Sequence, residues 1–113
     1  MARREKIAEA LKKEISSIIQ KELKDPRLGF VTITSVEITA DLRYAKIFFS
    51  VLGEDKDYKK TKEALDSALG FIRRLIAQRI KLRFAPELSF REDKSCEYSI
   101  KIQKLLDEIE RMK

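Results

Sequence analysis

Ser67-Ala68-Leu69-Gly70-Phe71-Ile72-Arg73 sits in the middle of a long apolar period and carries a glycine where a helix least tolerates one. Around it Leu65, Leu69, Ile72, Ile76 and Ile80 recur at helical steps, which predicts helix from about Tyr58 to Leu82. A glycine inside a helix costs about 1 kcal/mol relative to alanine. The stretch is therefore expected to be two helices with a kink at Gly70, whose missing β-carbon permits the bend and a close helix approach. Before it lie Val31 to Thr39 and Tyr44 to Val51, rich in β-branched residues and alternating, joined by Asp41-Leu42-Arg43. They read as an antiparallel hairpin. The alternation slips a phase near Ser35, where a bulge restores the facing. Gly53 to Asp57 reads as a polar loop.

Further out, Ile7, Leu11, Ile15, Ile18 and Ile19 form the apolar stripe of a helix from Arg3 to Leu23, ended by Asp25-Pro26-Arg27-Leu28-Gly29. After the helix pair, Arg83 to Glu92 reads as a third strand, with Pro86 at its start or on an edge. Ile100, Ile102, Leu105, Leu106 and Ile109 suggest a short last helix. The order is α-β-β-α-(kink)-α-β plus that helix, an α+β arrangement expected to form one domain over residues 1–113.

Composition narrows the chemistry. The 113 residues include no His and one Cys, Cys96, which excludes an imidazole base, an intrachain disulfide and a Cys-clustered zinc site. No phosphate-loop or dinucleotide fingerprint occurs, and the carboxylates show no paired pattern that singles out a general acid and base. No catalytic residue, metal ligand or cofactor is expected. No run approaches the roughly 18 apolar residues of a membrane span, and a cytosolic protein without membrane contact is expected. The net charge of +6 is concentrated: residues 1–24 carry +3, residues 70–91 carry +5, and each remaining stretch carries −1. Clustered Arg and Lys suit a polyanion by releasing its condensed counterions.

The candidate contacts are Arg3, Arg4, Lys6 and Lys13 on the first helix, Lys46 on the second strand, and Arg73, Arg74, Arg79, Lys81 and Arg83 after Gly70. The guanidinium fork suits phosphate, and no acid lies between Phe71 and Pro86. Lys6, Lys13 and Lys24 also fit an ordinary solvated helix face. The flanking position of Arg73 also suits a structural ion pair. Tyr44 and Phe48, either side of Lys46 on the outer face of their strand, suit base stacking or plain packing cover. A small protein-interaction module using that face is the alternative to nucleic-acid binding.

The element order is that of the type II K-homology (KH) fold, a three-stranded sheet with helices on one face. The usual KH loop of two glycines three apart is missing, since the only glycines are Gly29, Gly53 and Gly70. Four stretches resemble the ribosome-binding factor A family: Lys24-Asp25-Pro26-Arg27, Asp41 to Ile47, Ala68 to Arg73 and Leu82 to Leu88. In that family an Ala-x-Gly kink replaces the two-glycine loop, matched here by Ala68 and Gly70. The resemblance implies a non-enzymatic assembly factor that binds free small (30S) ribosomal subunits late in maturation. It further implies support of 5′-end processing of 16S rRNA, a link to growth in the cold, and release aided in some bacteria by a GTPase. A monomer whose partners are the small subunit and its rRNA is expected. Some family members continue into a long charged tail, whereas this sequence ends at Lys113, and tail-dependent roles stay outside the expectation.

Overall fold

The computed structural model describes residues 3–80, 82 and 84–93. Lys81, Arg83, Cys96 and the expected last helix lie outside the described residues. The elements run α1 (Arg3–Lys21), β1 (Phe30–Ile38), β2 (Tyr44–Leu52), α2 (Asp55–Ser67), α3 (Leu69–Arg79) and β3 (Glu87–Glu92). The type II KH-like order of an α+β fold is thus present. β2 is the central strand, antiparallel to β1 and parallel to β3. A parallel neighbour needs a long crossover, and α2 with α3 supplies it.

Alternation along β2 decides what the helices cover. Ala45, Ile47 and Phe49 are buried beneath them, while Tyr44 and Lys46 are exposed on the opposite side. Leu11, Ile15 and Ile18 from α1, Leu65 from α2, and Ile72 and Ile76 from α3 complete the core with Phe90 of β3. Phe49 sits at its centre, stacked on Tyr58 at 5.5 Å and edge-on to Phe90 at 6.0 Å. The bulge lies where the alternation slips. Ile33 pairs with Phe49 and Ser35 with Phe48, so Thr34 is the extra residue and Ile38 returns to the core side.

Three boundaries differ from the sequence expectation. α2 begins at Asp55 rather than Tyr58, because the Asp57 carboxylate accepts the Glu54 N–H at 2.8 Å and the acids of the first turn favour the helix N-terminus. β3 begins at Glu87, after a buried Pro86 that cannot donate to a ladder. The break between α2 and α3 falls at Ala68 (φ −92°, ψ 0°), not at Gly70.

Gly70 itself has no left-handed φ, and a β-carbon built on it meets nothing within 4 Å. Neither backbone geometry nor a close helix approach therefore holds glycine there. Gly53 is the opposite case. Its φ of +138° and the Asp57 carboxylate 2.6 Å from a built β-carbon leave no room for a side chain. Gly70→Ala should stabilise the fold by about 0.5–1 kcal/mol through helix propensity. Gly53→Ala should destabilise it by more than about 1 kcal/mol. Urea unfolding of the two variants, which differ in sign, checks both assignments.

Candidate nucleic-acid interface

The first of the four resemblance stretches turns out to be a brace. Arg27 binds the Asp25 carboxylate through Nη2 at 2.7 Å and Nε at 3.1 Å, and reaches Ser67 Oγ on α2 at 3.4 Å. The buried Thr61 hydroxyl accepts the Gly29 N–H at 3.1 Å, fixing the same loop to α2. These hydrogen bonds from Arg27 hold the Asp25 carboxyl below the usual carboxylate range. A depressed carboxylate stabilises the fold fully above its unfolded-state pKa, and the contribution disappears as pH falls through the folded one. Asp25→Asn should therefore lower stability at neutral pH and make the acid limb below about pH 4 less steep. Thermal melts from pH 7 to pH 3 read both effects.

The predicted cations separate into groups. Arg3, Arg4, Lys6 and Lys13 on α1 are exposed, and none makes an ion pair with another described residue. Lys6 and Lys13 lie two turns apart, opposite the buried Leu11 and Ile15, so they face solvent together. Arg74 and Gln78 stand exposed on α3 in the same way. Arg79 is held differently. Its guanidinium pairs with Glu22 at 2.8 Å and Glu14 at 3.7 Å, tying α3 to α1. The structural ion pair considered for Arg73 thus occurs at Arg79, while Arg73 donates to the Ala85 carbonyl at 3.1 Å.

Arg73 opens onto a groove of about 620 Å³ between the first turn of α3 and the β2–β3 pair. Among the described residues, Lys46 and Arg91 are its other cations and Glu87 its one acid. Tyr44, 54% exposed, contributes a ring; Leu69 and Leu88 contribute apolar surface; Gly70 leaves one wall without a side chain. Phe48 is half-buried and lies outside this lining. A cationic groove with an exposed ring suits a strand whose phosphates run along it and whose bases have a face to stack on. Arg91 did not figure among the candidates. The signal for it is the alternation of β3, which buries Phe90 and so turns Arg91 outward, opposite Phe48.

Among the described residues, no group of three His, Cys, Asp or Glu side chains could hold a metal ion, and no helix is long and apolar enough to cross a membrane.

Comparison with known proteins agrees with this architecture. The family model of ribosome-binding factor A matches residues 3–106. Ribosome-binding factor A of Halothermothrix orenii is 49% identical over 107 residues, covering 95% of this chain and 88% of its own. The solution structure of a Thermotoga maritima protein assigned to the same factor is similar with a TM-score of 0.73 at 40% identity, over 80% of this chain and 87% of that one. A homology model of the Thermus thermophilus factor, fitted into a cryo-electron-microscopy map of a 30S complex, is similar with a TM-score of 0.65 at 25% identity, over 77% and 91% of the two chains. With the family model spanning nearly the whole sequence, this chain belongs to the ribosome-binding factor A family.

Proposed function

We propose that this protein binds free small ribosomal subunits late in their maturation and supports 5′-end processing of 16S rRNA without cleaving RNA itself. The observation that carries the reading is the groove that Lys46, Arg73 and Arg91 line together with Gly70. The Thermus thermophilus relative supports the choice of partner, because it has been fitted into a map of a 30S complex. The groove cations hold phosphates, and the exposed Lys6, Lys13 and Arg74 add a second positive surface on the helical side. Recognition is mainly of RNA shape and backbone, since A-form grooves offer side chains little base information. Binding one rRNA conformation more tightly than others shifts the population toward it, so assembly proceeds without turnover by the factor. The protein acts in the cytoplasm as a monomer, and leaves before the subunit enters translation.

Gly70 separates this reading from a merely structural one. The methyl group of Gly70→Ala projects into the groove, so the variant should unfold at higher urea yet bind free subunits several-fold more weakly. Equal or tighter binding by the stabilised variant contradicts a ligand path along Gly70. Processing is checked by mapping 16S 5′ ends in cells whose own factor is replaced by the wild-type or variant protein, where the variant should leave more unprocessed ends.

A further inference from the structure

A second opening lies at the N-terminal end of α1. Arg3, Asp41, Leu42, Arg43, Leu82 and Phe84 surround a space of about 320 Å³ where the β1–β2 turn meets the segment before β3. Three features characterise the opening. The Phe84 ring is 64% exposed. Arg3 opens α1, where the helix macrodipole opposes a positive charge, and Arg4 repeats the mismatch. Leu42 holds a left-handed φ of 62° where it closes the β1–β2 turn, its N–H bonded to the Thr39 carbonyl at 2.9 Å, and this fixes how Asp41 and Arg43 are presented.

The turn is built to keep that geometry. The Asp41 carboxylate accepts the Thr39 hydroxyl at 2.6 Å and the Arg43 N–H at 3.1 Å, and the Thr39 N–H bonds the Tyr44 carbonyl at 2.9 Å. The Thr39 hydroxyl and the Arg43 N–H hold the Asp41 carboxyl below the usual carboxylate range, and the Arg43 charge adds to the effect. Among the described residues the space therefore carries two guanidiniums against one carboxylate whose hydrogen-bonding capacity is already partly used. An exposed ring with two flanking Arg forks matches the parts of a nucleotide, a flat base and a charged phosphate.

We propose that Arg3, Arg43 and Phe84 form a seat for one unpaired RNA nucleotide, with the base on the Phe84 ring and the adjoining phosphate held by the two arginines. The inference rests on the small-subunit reading for its RNA but concerns a contact separate from the groove. The seat is small enough for a single extruded base, whereas the groove on the β2–β3 side suits a continuous strand.

The test uses the full chain and a short single-stranded RNA with one 2-aminopurine between uridines. The variants are Phe84→Leu, which keeps bulk without a π face, and the double variant R3A/R43A, which keeps the Arg43 backbone N–H on Asp41. All three side chains are exposed, so the fold should persist, and circular dichroism checks it. The wild type should quench the fluorophore, and each variant should lose that quench and bind subunits about five- to hundredfold more weakly. No quench by the wild type, or a quench indifferent to Phe84, overturns the seat. Sedimentation of the wild type with free subunits reports on the proposed function separately. If that binding is absent while a Phe84-dependent quench remains, the function fails and the seat stands.

Discussion

Replacing Phe49 with alanine should lower the unfolding free energy by about 3–5 kcal/mol, a large share of the roughly 5–15 kcal/mol typical of a domain. The ring is fully buried on the central strand, stacked on Tyr58 of α2 and edge-on to Phe90 of β3. Its loss empties a volume bounded by three separate elements, which cannot all close on it at once. Tyr44 on the same strand faces the groove and is half exposed, so Tyr44→Ala should change stability by no more than about 0.5 kcal/mol. Urea titrations give the comparison directly: a shifted midpoint with unchanged slope for Phe49→Ala, and almost no shift for Tyr44→Ala. Similar destabilisation by the two substitutions would mean that the sheet does not present one dry and one wet face.

The second large effect concerns binding. Lys46→Ala, Arg73→Ala and Arg91→Ala together should weaken association with free small subunits on the order of a thousandfold at low salt, given charge-assisted bonds of about 1.5 kcal/mol each. The decisive signature is the salt dependence. Removing one phosphate-binding cation should flatten the plot of log affinity against log salt by about 0.7–0.9, so the slope of the triple variant should be shallower by about two units. Arg79→Ala is the control, because its guanidinium is engaged by Glu14 and Glu22 within the fold. It should lower stability modestly and leave the slope unchanged. Arg73→Lys adds a second control: it keeps the charge while removing the guanidinium Nη2 that donates to the Ala85 carbonyl.

Local periodicity carried much of the fold. The stripe from Leu11 to Ile18 marks α1, the phase slip near Ser35 marks the Thr34 bulge, and the alternation from Tyr44 to Val51 separates core from outer face. What periodicity does not contain is which strand lies beside which. The parallel pairing of β2 with β3 joins residues more than forty apart, as in Lys46 opposite Ser89, and the groove exists only because of it. For that reason Arg91 escaped notice although its strand was recognised. The clustering of charge in sequence also overstated the unity of the basic residues after Gly70. Five positions separate Arg74, open to solvent, from Arg79, closed onto α1, and Arg73 lines the groove instead. Gly70 shows the same limit from the other side. A glycine inside a helical period looks like a hinge, and only the open space around its Cα shows that the break belongs to Ala68.

The central claim is selective binding of free small subunits through a cationic surface. It is tested most directly by sedimenting the protein with purified free small subunits at low and moderate salt, beside intact ribosomes and naked duplex DNA. The account predicts co-sedimentation with free subunits that weakens steeply with salt, little with intact ribosomes, and only weak association with DNA. Equal binding to every polyanion, or no binding to subunits at either salt concentration, would contradict it.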